Sequence, residues 1–311
     1  MTHTADTTNT ASVKNFALIG AAGFIAPRHM KAIFETGHRL CAAVDPHDAV
    51  GVLDRWFPDA QFFTETERFD RHLEKRRCGP EEARIHYVSI CSPNYLHDAH
   101  VRLALRSGAD AICEKPLVIN PWNLDQLSRI EADTGRRVFT VLQLRLHPAL
   151  LALRAQGQTQ GPRKRVTLDY ITGRGPWYHA SWKGREAQSG GLAANIGIHF
   201  FDALLWLFGP ADRVAVARKT PATMTGELSL AHADVSWRLS VDMNELPDHA
   251  RQAGQSTFRR MCVDGDEVLF SDGFTDLHTR VYEEILAGRG LGIDDARPAI
   301  ELVRRIRDLN P

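Results

Sequence analysis

Asn15-Phe16-Ala17-Leu18-Ile19-Gly20-Ala21-Ala22-Gly23-Phe24-Ile25-Ala26 is the stretch that decides the fold. A short apolar run ends in glycine, and Pro27 to Thr36 then carries apolar residues at helical spacing through Met30, Ile33 and Phe34, which predicts a strand, a glycine turn and a helix. The turn reads GxxGxxA and departs from the GxGxxG of dinucleotide-binding turns. Glycine fits where backbone turns tightly or approaches a pyrophosphate, and the helix that follows offers free amides and a partial positive charge. A glycine turn with no ligand would read the same way. Asp45 shifts the balance, because it ends the second apolar run, Leu40 to Val44, 25 residues after Gly20, close to the spacing of the acid that binds ribose hydroxyls. Pro46 and His47 follow, with no adjacent Arg or Ser for a 2′-phosphate, so NAD is favoured over NADP.

Outward from this unit the first half alternates strand and helix. A third apolar run, Tyr87 to Cys91, leads into Ser92-Pro93-Asn94 and a helix that stops at Gly108. A fourth, Ala109 to Cys113, ends in Glu114-Lys115-Pro116; Asn120 with Pro121 predicts a helix start with an asparagine cap, and Gly135 its end near Thr134. Val138 to Leu142 completes five strands, and strict alternation implies a Rossmann-type, doubly wound parallel sheet. The second half has period two. Val166, Leu168 and Tyr170 alternate with Arg165, Thr167 and Asp169, and Val235, Trp237, Leu239 and Val241 with Asp234, Ser236, Arg238 and Ser240, which predicts half-buried antiparallel strands. Asp264-Gly265 is placed to join Met261–Val263 to Val268–Phe270 as a hairpin. Ile198 to Phe208 reads as an apolar helix and Asp295 to Leu309 as a closing helix packed on the first domain. The fold expected is α/β: a disordered tail over residues 1–14, a nucleotide-binding domain over 15–146, and over 147–311 an α+β domain with a large, open, mostly antiparallel sheet, the boundary falling at Arg145 to Pro148.

Composition narrows the function classes. Lys plus Arg equal Asp plus Glu at 38 each, so no overall field favours nucleic acid or an anionic membrane. Five scattered cysteines suit a reducing, cytoplasmic setting rather than a disulfide framework. No signal peptide is read at the start, no stretch is read as approaching the roughly 18 apolar residues of a membrane span, and histidines such as His72 and His232 lack metal-ligand spacing, so no metal is expected. His29 is expected to pack or cap.

Lys115 is the residue of most interest: a lysine at the carboxyl end of a sheet strand sits where parallel sheets place ligands. The glycine turn, Asp45, Ser92-Pro93-Asn94-Tyr95-Leu96-His97, Glu114-Lys115-Pro116 and Gly190-Gly191-Leu192-Ala193-Ala194-Asn195-Ile196-Gly197-Ile198-His199 stand in the order seen in the glucose-fructose oxidoreductase, inositol dehydrogenase and related (Gfo/Idh/MocA) family, which the chain resembles from about Asn15 to Arg307. Within it, Gly20 to Ile33, Leu142 to Pro148 and Gly273 to Tyr282 look most like the branch that oxidises the 3-hydroxyl of UDP-N-acetylglucosaminuronate in bacterial surface-polysaccharide synthesis.

The resemblance implies a cofactor site of Gly20, Ala22, Gly23, Phe24, Ile25, Asp45, Ser92, Pro93, Asn94, His97, Glu114, Lys115 and Gln143. It implies Lys115 beside the nicotinamide and the reacting hydroxyl, with His199 as general base; a histidine bonded to backbone at a helix start is the plainer reading of His199 alone. Many members carry Asp where Asn195 stands, which removes a charged partner for the histidine. A nucleotide-sugar acid brings a carboxylate and a diphosphate, so Arg145, Arg174, Lys183 and Arg185 are candidates to meet them, with Trp177, Tyr178 and Trp182 to cover a ring face; for each cation a surface or interface role fits as well. His278 and Arg280 either approach the substrate or serve the helix they begin. The resemblance also implies 2-oxoglutarate as a co-substrate that reoxidises bound NADH, and a homotetramer formed through a half-apolar sheet face. Dehydrogenation of another sugar or a cyclitol, and a non-catalytic NAD-binding regulator, are the alternatives it leaves.

Overall fold

The computed structural model describes residues 12–157, 161–268 and 276–311; the tail before residue 12, the hairpin residues Leu269 and Phe270 and the start of the Gly273–Tyr282 string lie outside them. β1 (Asn15–Ile19), α1 (Ala26–Glu35), β2 (Arg39–Val44), β3 (Gln61–Phe63), α2 (Thr66–Arg77), β4 (Tyr87–Ile90), α3 (His97–Arg106), β5 (Asp110–Cys113), α4 (Trp122–Thr134) and β6 (Val138–Thr140) build the first unit. Its parallel sheet has the order β3-β2-β1-β4-β5-β6, one strand more than the sequence predicts. β3 escaped because three residues are too short to show a period. The registers level the strand ends: Ile19 faces Val44 and Ile90, Ile90 faces Cys113, and Cys113 faces Thr140. Gly20, Asp45, Cys91 and Glu114, each one residue further on, therefore share one edge, at the switch point where ligands bind in such sheets. Asn120 does not cap α4 with its side chain: Pro121 takes the cap position, and the Asn120 Oδ1 accepts from Arg304 instead.

The second unit follows as α5 (Pro148–Ala155), β7 (Lys164–Thr172), α6 (Pro176–Ala180), α7 (Glu186–Ser189), α8 (Ile198–Phe208), β8 (Ala211–Lys219), β9 (Thr223–Leu230), β10 (Ala233–Ser240), α9 (Asp248–Gln252), β11 (Thr257–Val263), β12 (Asp266–Val268), α10 (Leu277–Leu286) and α11 (Ile293–Asp308). Its sheet runs β12-β11-β7-β10-β9-β8. All neighbours are antiparallel except β7 and β10, which pair in parallel, a direction that alternation alone does not encode. Asp264 and Gly265, at φ 53° and 98°, close the β11–β12 hairpin as a two-residue turn with both φ positive.

The inner face of this sheet is apolar and covered by α8: Phe201 meets Trp237 edge-on at 5.3 Å, and Gly226 is required opposite, since a Cβ there would lie 2.7 Å from the Trp237 ring. The outer face is polar, crossed by Arg238–Asp169 and Arg163–Asp234 ion pairs at 2.8 Å, so the half-apolar outer surface expected from the sequence is absent among the described residues. The stretch Glu186–Phe208, broken at Gly190, is by length and composition apolar enough to cross a membrane, contrary to the sequence reading, but most of it is buried here as a core element. α11 packs on α8 and β8 and also on α4 and β6 of the first unit. α10 lies on α1, and its Val281, Tyr282 and Ile285 complete the core around β1.

Candidate active site

A cavity of about 800 Å³ opens at the carboxyl edge of the first sheet and is roofed by residues from β7, β11 and the stretch leading into α8. Its floor starts at Gly20, whose φ of 86° and approach to β4 exclude any side chain: a Cβ would sit 2.7 Å from the Cys91 carbonyl carbon. Asp45 closes one end. Its carboxylate accepts from the Ala22 and His47 amides, each at 3.0 Å, which fixes the turn to the end of β2. Behind the floor, His97 places its two ring nitrogens 2.7 Å from the Pro116 carbonyl and 2.8 Å from that of Ser92. Burial, against these two carbonyls, holds its pKa below the ordinary value, so the neutral ring donates to one of them at a time. Ser92 Oγ pairs with His100 Nδ1 at 2.8 Å, and burial, with His97 beside it, lowers His100 to about 4. Asn94 donates to the Ser189 carbonyl at 2.8 Å and so ties the first unit to the second.

Lys115 reaches across this seam. Its Nζ donates to the Asn195 carbonyl at 2.8 Å, within a π-helical turn, Ala193–Gly197, that immediately precedes α8 and His199. Burial pushes the Lys115 ammonium below its usual pKa; Glu114 opposes this, and Lys183 and Arg174 reinforce it. Lys183 is itself lowered by burial and by Arg174, and its Nζ stands 5.1 Å over the Trp177 ring and 5.7 Å over Trp182. Three cations that repel one another in one locus form a place where an anion would be relieved of competition. His199 is held well below its ordinary pKa, first by burial and then by Lys115, and stays neutral through the neutral range. Its Nδ1 is buried without a partner among the described residues, which leaves Nε2 for the cavity. Asn195 donates to the Tyr178 hydroxyl at 3.0 Å.

The cavity brings together Gly20, Ala22, Gly23, Phe24, Ile25, Asp45, Ser92, Pro93, Asn94, His97, Glu114, Lys115, Gln143, Arg174, Trp182, Lys183, Asn195 and His199. Two expected substrate residues stand elsewhere. Arg145 is tied to Asp202 at 2.7 Å and Asp295 at 3.3 Å, away from the cavity, because two acids on α8 and α11 neutralise it. His278 lies behind the cavity wall, its Nε2 3.0 Å from Glu114 Oε1. Arg185 and Trp177 do not line the cavity either. Arg259 and Tyr170 do line it and were not expected: they face each other across the β11–β7 ladder, a pairing that neither strand's own pattern announces. His29, Glu114 and His278 bring three metal-ligating atoms within 4.8 Å of one another, and hydrogen bonds at 3.0 Å from each Nε2 to Glu114 Oε1 account for that closeness.

This chain belongs to the Gfo/Idh/MocA oxidoreductase family: residues 14–142 match its NAD-binding Rossmann-fold model and 161–238 its C-terminal α/β model. Among solved structures it is 52% identical to the WlbA (WbpB) dehydrogenase of Thermus thermophilus in complex with NAD and α-ketoglutarate, covering 96% of each chain at a TM-score of 0.92. The same Thermus thermophilus enzyme in complex with NAD and UDP-GlcNAcA aligns at 51% identity over 96% of each chain, TM-score 0.91. The D-glucoside 3-dehydrogenase of Escherichia coli (strain K12) is 33% identical over 135 residues, 39% of this chain and 35% of that protein. The chain spans between 35% and 56% of the length of the curated relatives it matches. The site fits the dinucleotide on its own terms: a turn that admits only glycine, a buried acid at the end of β2, and a buried Gln143 Oε1 in the cavity wall with no partner among the described residues.

Proposed function

We propose that this protein is an NAD-dependent dehydrogenase that oxidises the 3-hydroxyl of UDP-N-acetylglucosaminuronate to a ketone, in surface-polysaccharide synthesis, with 2-oxoglutarate returning the cofactor to its oxidised form. The observation that carries the reading is the meeting of Lys115 and neutral His199 in a cavity that also gathers Lys183 and Arg174. Bound NAD supplies the hydride acceptor. As the hydride leaves C3 of the sugar, His199 Nε2 takes the hydroxyl proton, and a ring held neutral is ready to do so. The Lys115 ammonium donates to the same oxygen and stabilises the charge that builds there. Lys183 and Arg174 receive the anionic groups of the substrate, and Trp182 and Tyr178 bound the space for its rings. When 2-oxoglutarate occupies the site, the same groups run in reverse: His199 returns its proton to the keto oxygen as hydride reaches that carbon, giving 2-hydroxyglutarate. The first unit over residues 15–146 binds the cofactor and residues 147–311 the sugar. The chain works in the cytoplasm, a setting that suits its five unpaired cysteines, and a homotetramer would have to form through a polar sheet face or another surface.

The test is incubation of purified protein with NAD, 2-oxoglutarate and UDP-N-acetylglucosaminuronate, with the 3-keto sugar and 2-hydroxyglutarate followed by mass spectrometry. Lys115→Met and His199→Asn should each lower kcat by at least about a hundredfold. Turnover of inositol or free glucose with none of the UDP sugar would replace the substrate reading, and full activity in both variants would sink the mechanism. Light scattering decides the tetramer.

A further inference from the structure

Two of the strings that set this sequence apart meet at one oxygen atom. His29, from the Gly20–Ile33 string, stands on α1, and His278, from the described part of the Gly273–Tyr282 string, stands on α10; the Nε2 of each lies 3.0 Å from Glu114 Oε1. The second oxygen of Glu114 accepts from the Lys115 amide at 3.1 Å. All three side chains are buried, with His29 0%, His278 2% and Glu114 6% exposed. An ionised carboxylate only accepts, so both Nε2 atoms carry protons, and His29 Nδ1 is left to accept from the Tyr282 hydroxyl at 2.8 Å, which in turn meets Ser89 Oγ at 2.6 Å. The arrangement thus fixes tautomers and gives each Glu114 oxygen a donor.

We propose that His29 and His278 are positioning residues that act through Glu114: their two hydrogen bonds keep this carboxylate an anion inside the protein, and that anion keeps the neighbouring Lys115 an ammonium ion. A buried carboxylate without donors neutralises instead of staying charged. Burial does push Glu114 upward, but the bonds from His278 and His29 outweigh it and hold the group well below the ordinary carboxylate range. Among the described residues, the Cys91 and Cys113 thiols and the Tyr282 hydroxyl, which also couple to Glu114, bring no competing charge, since burial raises each well above its usual value. Lys115 faces Lys183 and Arg174, which both disfavour its charge, and lies near the His199 and His97 rings. Glu114 is the acid that offsets them. Without it, a half-buried lysine facing two other cations would lose its proton at a lower pH and with it the ability to donate to an alkoxide.

The role in turnover rests on the reading of Lys115 given above; the charge coupling itself does not, and the experiment separates them. Lysines of the full-length protein are reductively methylated with ¹³C-formaldehyde, and the Lys115 signal, assigned by its loss in Lys115→Arg, is titrated by NMR in wild type, Glu114→Gln, His278→Leu and His278→Gln. The midpoint should fall by about one pH unit or more, a tenfold change, in Glu114→Gln and His278→Leu, and return toward wild type in His278→Gln, which restores an amide donor near the Nε2 position. The alkaline limb of kcat/KM should move with it. An unchanged midpoint in Glu114→Gln that still binds NAD overturns the proposal. So does a loss of thermal stability in His278→Leu with no movement of the midpoint, or a stoichiometric metal found by elemental analysis in wild type and lost in His278→Leu. If the UDP sugar proves to be the wrong substrate, the NMR titration still decides the coupling.

Discussion

Arg145→Met should unfold the protein more readily while leaving substrate affinity alone. The guanidinium is 13% exposed and donates to both oxygens of Asp202, Nε to Oδ2 at 3.0 Å and Nη2 to Oδ1 at 2.7 Å, while Nη1 and Nη2 reach the side chain and carbonyl of Asp295 at 3.3 and 2.8 Å. One side chain thereby pins the segment after β6 to α8 and α11. Removing it strands the Asp202 carboxylate, 2% exposed, in a place where an unpaired charge costs about 3–5 kcal/mol. The low end applies, because burial already raises the Asp202 pKa even with Arg145 present, so without the arginine the acid takes up a proton and escapes part of the penalty. A loss of about 3 kcal/mol, at roughly 2 °C per kcal/mol for a chain of this size, lowers Tm by about 6 °C. The sign of the pH dependence follows. An acid whose folded pKa is raised binds more protons folded than unfolded, so the deficit of the variant should shrink as pH falls from 8 to 5. Adding Asp202→Asn should recover part of the loss at pH 8. Differential scanning calorimetry across that range, with KM for the sugar acid beside it, is the assay. A variant that melts with wild type and raises KM tenfold would return Arg145 to the substrate and refute the staple.

Gly20→Ala should destabilise the protein by about 2–4 kcal/mol in urea unfolding and weaken NAD binding, since it adds a left-handed backbone penalty to a 2.7 Å clash with the end of β4; wild-type affinity would show that the turn can relax. His29, His97 and His199 all have folded pKa values lowered chiefly by burial, so the unfolded chain binds more protons below pH 6.5. Their contribution is complete above pH 6.5 and is lost as pH falls through their folded values, at about 1.4 kcal/mol for each unit of depression, and a unfolding free energy flat between pH 7.5 and 5 would contradict it.

The expected residues that the cavity gathers are those whose sequence signal is local. Gly20 and Asp45 are read from a turn and a strand end, and the level strand ends then bring them together without further information. Lys115 and His199 each carry a local signature, an apolar strand before the lysine and a helix after the histidine. Arg145 carried a local signature too and was misplaced, because its partners come from 57 and 150 residues away. The same holds for Arg259, which enters the cavity only because β11 pairs with β7, and for the β7–β10 pair, whose parallel direction is a property of the connection between them.

His278 is the instructive case. The sequence leaves it either approaching the substrate or serving the helix it begins, and it stands behind Glu114, whose other oxygen accepts from the Lys115 amide. α10 covers α1 and delivers His278 to the back of the strand end whose front carries Lys115, so packing and charge are set by the same helix. In this fold, therefore, the closing helices do more than cover the sheet: with α10 withdrawn, Glu114 Oε1 would keep only the His29 donor, and the lysine would lose part of its charge support before any group in the cavity had moved.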